Sequence, residues 1–331
     1  MSVTSTKIKY NNGTQPLIMA WIGQDDPNRG DSKGSIGLAK LCAEMVGGRY
    51  VYVDEAMLDA QFSKAKSYKE KVEAALREIG QPDILIGTHS GDAYYVAEKR
   101  PTITVAHINE TLSTKYGENR LVPHHLTSEI LDNAGREFDA VYPQRRGPLV
   151  ALMIGNDTPN IRDTVKKIHE IGKLYDEITF FVCPSLRAYR APQLVFDYLD
   201  NNLESVFRSK SMRAYLSCLF QTGRDVFFAE YEQSITGYNP YLGLLARADH
   251  IVVSGHSYSL VSEALYTGKN IYTDWMCTEY TDLVDLGYVV PIETLDCALP
   301  FPTKSMPALD STQKIADIIV DNFKNNKSMT L

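Results

Sequence analysis

Short apolar segments alternate with amphipathic helical patterns along the whole chain, and this alternation constrains the fold more than any other feature. In the first half, segments with the length of buried strands lie at 17–22, 50–53, 83–87 and 102–106. Helical spacing of apolar residues follows at 35–46 and 68–79. Strands and helices that alternate in this way form a parallel sheet with crossover helices. Residues 138–142 are predicted to form the last strand of this half.

The segment 143–148, Pro-Gln-Arg-Arg-Gly-Pro, separates this series from a second one, because two prolines and a glycine interrupt regular structure. After it, strands are predicted at 149–154, 178–183, 225–228, 250–253 and 270–272, with helices at 161–174 and 311–325 and a helix-rich insert at 193–219. We therefore predict two doubly wound, Rossmann-like α/β domains that face each other across a cleft. They comprise residues 1–146 and 147–310, and a C-terminal helical segment, 311–331, packs back on the first domain. Ligands of such sheets bind where strand carboxyl ends meet helix N-termini.

The composition is that of an ordinary globular protein. Hydrophobic residues make up 44% and charged residues 23% of the 331 residues, which excludes disordered and fibrous chains. The formal net charge of −7 argues against binding of nucleic acid by bulk electrostatics, since such binding needs a positive surface. No apolar stretch reaches the length of a membrane span, and residues 1–15 lack the apolar core of a signal peptide. Together with five scattered cysteines, these features favour a cytoplasmic protein without integral membrane contact.

A glycine-rich loop follows the first predicted strand and leads into a helix. Its backbone N–H groups are predicted to face the cleft and to bind an anion or oxyanion. The Asp31 carboxylate at the mouth of this loop is a candidate general base for an attacking hydroxyl; the alternative is a helix turn capped by Asp31 and Ser35. His89, which follows the third strand, is the rival base. Gly30 and Asp92, in the same two loops, are predicted to bind the acceptor.

The most informative segment runs from Asn239, which caps a short helix, to a hydroxyl-rich turn that begins a second helix. The N-terminus of that second helix presents N–H donors to a phosphate, and Ser257 and Ser259 add hydroxyl donors. Glu263, further along the helix, is placed to chelate the two hydroxyls of a ribose. The alternative interpretation makes the serines N-caps and Glu263 a capping-box partner of Ser259 or a surface charge.

The residues of this segment carry a resemblance to a known family. The matching positions are Asn239-Pro240-Tyr241, Ala248-Asp249, Ser257, Ser259, Ser262-Glu263-Ala264 and Thr267-Gly268-Lys269. They resemble the family of the plant mitochondrial-fission (elongated-mitochondria) protein and its bacterial relatives, which are regarded as glycosyltransferases of the GT-B fold. The resemblance extends over most of the chain and is dense from 239 to 272.

Further site residues follow from this resemblance alone. Gly155 and Asn156 resemble a Gly-Gly pair that ends a strand in the family, and Ser185 with Arg187 resembles its Ser-Arg-Arg-Thr-Pro segment. These residues would contact the donor, with Arg187 or Lys269 neutralising the charge of the leaving group. His124 and His125 follow Pro123 and resemble the family's Pro-x-His-Asp segment, with His where Asp is expected, and they are assigned to the acceptor site.

The resemblance implies a glycosyltransferase that moves a sugar from a nucleotide-diphosphate donor, which we expect to be UDP-linked, to a hydroxyl acceptor. The sequence contains no Asp-x-Asp motif, so we expect no metal and no cofactor besides the nucleotide sugar. Direct attack by a base-activated hydroxyl would invert the sugar. The acceptor is expected to be a glycan, a lipid-linked glycan or a hydroxymethylated base of phage DNA. A non-catalytic adaptor on a GT-B scaffold and a sugar-nucleotide epimerase are the alternatives, and the oligomeric state stays open.

Overall fold

The computed structural model describes residues 15–23, 30–87, 102–104, 121–143, 145–155, 158–185, 224–228, 236–274, 281–303 and 306–325. Their strands are β1 (Leu17–Gly23), β2 (Arg49–Asp54), β3 (Ile84–Gly87), β4 (Thr102–Thr104), β5 (Leu149–Ile154), β6 (Ile178–Pro184), β7 (Arg224–Phe228), β8 (His250–Ser254), β9 (Asn270–Thr273) and β10 (Val289–Pro291). Their helices are α1 (Gly30–Val46), α2 (Glu55–Gln61), α3 (Tyr68–Ile79), α4 (Ser128–Val141), α5 (Ile161–Gly172), α6 (Tyr241–Arg247), α7 (Tyr258–Tyr266), α8 (Thr281–Asp285) and α9 (Ser311–Lys324), with a 3-10 turn at Ile292–Thr294. No helix within these ranges has the length and apolar content needed to cross a membrane.

The chain divides into two compact units. The described residues of the first lie within Met1–Thr111, Val122–His125 and Thr312–Leu331, and those of the second lie within Leu112–Leu121 and Leu126–Ser311. In the first unit, a parallel sheet has the strand order β2-β1-β3-β4. β1 is buried along its whole length and pairs with β2 on one side and β3 on the other. Helix α1 connects β1 to β2, and α2 and α3 connect β2 to β3.

The second unit contains a larger parallel sheet with the strand order β10-β9-β8-β5-β6-β7. Alternate residues of a strand point to opposite faces of its sheet. Met153 of β5 packs in a cluster with Val261 of α7, whereas Leu152 packs in a separate cluster with Val165 of α5. Helices therefore cover both faces of this sheet, and these two parallel sheets confirm the predicted α/β fold class.

The order of the second sheet reverses between β5 and β8. From β5 the chain passes through α5 to β6 on one side, and from β8 it passes through α7 to β9 on the other. Because α5 and α7 cover opposite faces, this reversal is a topological switch point, where open α/β sheets bind ligands at the strand carboxyl ends.

The prediction of a strand at 138–142 is wrong. Residues 138–141 instead end helix α4, and Tyr142 is its C-cap. The helix begins after Thr127, whose hydroxyl accepts a hydrogen bond from the Ile130 amide at 3.2 Å. Phe138 is fully buried, and its ring packs 5.9 Å from that of Phe181 in β6. The apolar residues that suggested a strand thus form one face of a helix on the second sheet. The helix-rich insert predicted at 193–219 lies outside the described residues.

Candidate functional site

The carboxyl ends of β5, β6 and β8 bring predicted donor residues to one edge of the second sheet. Gly155 follows β5, and its amide donates to the Ser254 carbonyl at 2.8 Å; Ser185 follows β6, and its amide donates to the Ile154 carbonyl at 2.8 Å. A Cβ atom on Gly155 would lie 2.8 Å from the Cβ of Ser257. Any larger residue would push this turn away, which explains the glycine here.

The hydroxyl groups at this edge suit an anionic ligand. Ser257 is the N-cap of α7: its Oγ accepts from the Leu260 amide at 3.4 Å and lies 3.5 Å from Oγ of Ser259. The capping interpretation of Ser257 is therefore confirmed, and it is compatible with a ligand at the positive end of the helix dipole. The Ser185 hydroxyl oxygen is buried and has no hydrogen-bond partner among the described residues, although buried polar atoms are usually paired.

Glu263 lies on α7 and is only 5% exposed, so it is not a surface charge. The hydroxyl of Tyr241, at the start of α6, donates to Glu263 Oε2. Burial and the neighbouring Glu263 carboxylate raise the pKa of the Tyr241 hydroxyl well above its usual value. This hydroxyl therefore remains protonated at neutral pH and keeps its role as donor. Tyr241 was part of the family motif, but sequence reasoning assigned it no role.

The prediction that Asn239 caps α6 is wrong, because Pro240 is the residue before this helix and no side chain makes a capping hydrogen bond; Asn239 instead forms a turn that precedes the helix. Its Oδ1 accepts a hydrogen bond from the Tyr241 amide at 3.1 Å, and the Leu244 amide donates to the Pro240 carbonyl at 2.8 Å. The Asn239 side chain is exposed, and the donor contact assigned to it stays a prediction.

Asp274, directly after β9, is a site residue that sequence reasoning missed. Its carboxylate is 7% exposed and accepts hydrogen bonds from the Thr164 hydroxyl at 2.7 Å, the Gly255 amide at 2.8 Å and the Ser254 hydroxyl. These bonds tie the turn before α7 to both β9 and α5. A carboxylate directly after a short apolar strand is the signal that could have identified it.

A cavity of about 620 Å³ lies beside Asp274 on the α5 side. Its lining residues are Pro159, Asn160, Asp163, Thr164, Lys167, Asp274, Ile292 and Glu293. None of the predicted donor residues lines this cavity.

Lys269 lies apart from the other donor residues. It precedes β9, and Asp249 precedes β8, so both are at the amino edge of the parallel sheet, whereas Gly155 and Ser185 are at the carboxyl edge. Burial lowers the pKa of Lys269 to about 8. The Asp249 carboxylate opposes this shift, and Arg247 and Arg145 add to it. The prediction that Lys269 neutralises the leaving group is therefore wrong, because a parallel sheet separates the two edges by the length of its strands.

The glycine-rich segment of the first unit is helical rather than a loop. Helix α1 begins at Gly30, not at Ser35. A Cβ atom on Gly37 would lie 2.7 Å from the carbonyl oxygen of His124 and 2.8 Å from the Cα of His125, and one on Gly34 would overlap the carbonyl of Pro123. These two glycines let the segment 122–125 pack against the helix, so they are not an anion-binding loop.

The assignments that bear on catalysis fall largely outside the described part of the chain. His89 and Asp92 follow β3 in the sequence and lie outside the described residues, as do Asn156 and Arg187. Gly30 is the exposed first residue of α1, and Asp31 follows it in the same helix. The roles of these residues stay predictions.

His124 and His125 differ in exposure. His124 is 3% exposed, and its backbone forms two hydrogen bonds with the Thr312 hydroxyl, at 2.7 Å from the amide and 2.9 Å to the carbonyl. These bonds fix the backbone of His124 in the first unit, and the acceptor contact assigned to its side chain stays a prediction. His125 is half-buried, and burial, with Lys33 and Lys40 nearby, lowers its pKa to about 4.

The lowered pKa of His125 predicts a loss of stability in acid. The unfolded chain binds a proton at this ring near pH 6.5, but the folded chain does so only near pH 4, so the free energy of unfolding falls as the pH drops through this window. Between pH 7 and pH 5, His125→Gln should lose about 1 kcal/mol less than the wild type, a value reduced because the ring is partly exposed. Urea unfolding at both pH values measures this, and equal losses in the two proteins would contradict it.

Residues 208–323 match the family model described as "Mitochondrial fission ELM1". No curated protein matches the chain. UDP-GlcNAc 2-epimerase from Neisseria meningitidis bound to UDP-GlcNAc is 14% identical, with 94% of this chain and 92% of that chain covered and a TM-score of 0.49. The S. aureus MnaA–UDP complex is 12% identical, with 95% and 90% covered and a TM-score of 0.48. A glycosyltransferase from Rickettsia africae is 11% identical, with 96% and 95% covered and a TM-score of 0.44.

The family match contains the segment 239–272, where the sequence resemblance is densest. It also contains α6, α7 and Asp274, and thus Tyr241 and Glu263. The predicted resemblance to the mitochondrial-fission family is therefore confirmed over residues 208–323, which include Ser257, Ser259 and Glu263 of the candidate donor site.

Proposed function

We propose that the chain is a glycosyltransferase that binds the nucleoside diphosphate of its sugar donor at the carboxyl edge of the second sheet. The observation that carries this proposal is the buried Glu263 carboxyl group on the same helix whose N-terminus opens at the switch point. A carboxylate suits the two hydroxyls of a ribose, and a helix N-terminus suits a diphosphate. One short segment therefore offers partners for both parts of a nucleotide.

In this proposal the diphosphate lies over the N-terminus of α7. Ser257 and Ser259 donate from their hydroxyls, and the buried hydroxyl of Ser185 supplies a further donor. Gly155 keeps the edge free of a side chain, so a phosphate can approach the backbone. Asn156 and Arg187 join this site on the sequence resemblance alone.

The transfer itself needs an acceptor hydroxyl and a base. The acceptor oxygen forms a bond to the anomeric carbon, the bond from that carbon to the diphosphate breaks, and the acceptor proton passes to Asp31 or His89. The nucleoside diphosphate leaves with its charge stabilised by the helix N-terminus and the hydroxyl donors. Direct displacement inverts the sugar. A glycan, a lipid-linked glycan or a hydroxymethylated DNA base supplies the hydroxyl.

A thermal-shift panel with UDP, GDP, ADP and CDP tests the donor site. A nucleotide at 100 times its Kd should stabilise the wild type by about 2.7 kcal/mol. Glu263→Gln should weaken binding of that nucleotide by roughly tenfold or more, because hydrogen bonds to a charged carboxylate are lost. Glu177→Gln, at an exposed glutamate of the same unit, is the control and should bind like the wild type.

The reaction products separate the proposed transferase from its alternatives. With the matching nucleotide sugar and an acceptor, a transferase releases free nucleoside diphosphate in proportion to the glycosylated product. An epimerase instead returns an isomeric nucleotide sugar without any acceptor. If no nucleotide stabilises the wild type, the donor-site proposal is wrong and a non-catalytic adaptor becomes the better account.

A further inference from the structure

We propose that the Tyr241 hydroxyl is a positioning group that orients the Glu263 carboxylate toward a ribose, and that Tyr241 thereby sets a preference for ribonucleotides over deoxyribonucleotides. This inference rests on the proposed function. The two side chains come from different helices, α6 and α7, and meet through a hydrogen bond to Glu263 Oε2. The contact fixes the carboxylate before any ligand arrives.

The backbone around Tyr241 holds this ring in place. The Tyr241 amide donates a hydrogen bond to Oδ1 of Asn239 at 3.1 Å. Helix α6 begins at Tyr241, and the Leu244 amide donates to the Pro240 carbonyl at 2.8 Å. A Cβ atom on Gly243 would lie only 2.6 Å from the Cβ of Phe138 in α4. Helix α6 is therefore packed tightly on α4, and the tyrosine at its start has a defined direction.

A fixed carboxylate binds a diol better than a mobile one. A glutamate side chain loses rotamer freedom when it is ordered, and a contact that orders it in advance removes that cost from ligand binding. A carboxylate offers about four lone-pair sites, so a bond from Tyr241 at one oxygen is compatible with two more from a ribose. Burial and Glu263 itself keep the Tyr241 hydroxyl protonated by raising its pKa.

The test compares the affinities of UDP and 2′-deoxy-UDP, measured by calorimetry on the full chain. In the wild type, UDP should bind roughly tenfold or more tightly than 2′-deoxy-UDP, the effect of one hydrogen bond to a charged group. In Tyr241→Phe this ratio should fall to about two- or threefold, and 2′-deoxy-UDP, which contacts Glu263 only through its 3′-hydroxyl, should lose less affinity than UDP. Glu263→Gln should lower the ratio as well, and the double variant should lower it no further than Glu263→Gln alone.

Tyr238→Phe is the matched control, because Tyr238 is a half-buried tyrosine of the same segment that packs against α6. It should leave the ratio unchanged. If Tyr241→Phe weakens both nucleotides equally and keeps the ratio, Tyr241 has only a structural role and the inference is overturned while the proposed function stands. If the wild type itself binds both nucleotides equally, Glu263 does not hold the ribose, and the proposed function and the inference are both overturned.

Discussion

Asp274→Ala should lower the free energy of unfolding of the second unit by roughly 3–5 kcal/mol, because it leaves three buried donors without an acceptor. Thr164 and Ser254 are 1% and 0% exposed, so both hydroxyl groups lose their buried acceptor. The Gly255 amide loses its partner at the same time. Urea unfolding followed by circular dichroism measures the change.

Two further variants make this result specific. Asp274→Asn keeps the shape and one acceptor oxygen, so its loss should be intermediate. Asp285→Ala removes an exposed carboxylate of α8 in the same unit and should stay within about 0.5 kcal/mol of the wild type. If Asp274→Ala unfolds at the same urea concentration as Asp285→Ala, the hydrogen bonds to Asp274 do not hold the turn before α7.

Gly37→Ala should destabilise the first unit by about 1–3 kcal/mol, the usual cost of inserting atoms into a well-packed contact. In an open helix the same change stabilises by about 1 kcal/mol, because alanine has the higher helix propensity. Here the added Cβ would lie 2.7 Å from the His124 carbonyl oxygen and 2.8 Å from the His125 Cα. Both are backbone atoms, which do not move aside cheaply.

Glu44→Ala is the control for this prediction. Glu44 is exposed on the same helix, so its replacement tests helix propensity without a packing contact. Its unfolding free energy should stay within about 0.5 kcal/mol of the wild type or rise slightly. A Gly37→Ala variant that is more stable than the wild type would show that the segment 122–125 does not pack against α1.

The sequence predicts the parallel sheets well because buried strands and amphipathic helices have different periods. β1 and β5 are continuous apolar runs, and α3 was predicted at its observed bounds, 68–79. The error at 138–142 arose because a short apolar run alone does not distinguish a strand from a buried helix segment. The signal that distinguishes them is longer: Thr127 caps the helix, and Ile130, Ala134 and Phe138 recur at helical spacing.

The candidate site residues that the structure brings together are those whose chemistry is local in sequence. Ser257, Ser259 and Glu263 lie on one helix, so their spacing alone placed them together. The glycines of α1 were misjudged and Asp274 was missed, because in each case the partner is distant in the sequence. Asp274 accepts a hydrogen bond from Thr164, 110 residues away, and Gly37 lies against the backbone of His124. A glycine pattern permits either a ligand or a backbone neighbour, and only the packed structure distinguishes the two.

The central claim is that a nucleotide binds at the carboxyl edge of the second sheet. Amide hydrogen exchange of the wild type tests this claim most directly, measured without nucleotide and then with UDP, GDP, ADP and CDP, each added in turn. With at least one of them, we expect slower exchange in the peptides that contain Gly155, Ser185 and Ser254–Glu263, and unchanged exchange in β1 and β2 of the first unit. No protection with any nucleotide, or protection that leaves Ser254–Glu263 unchanged, would contradict the claim.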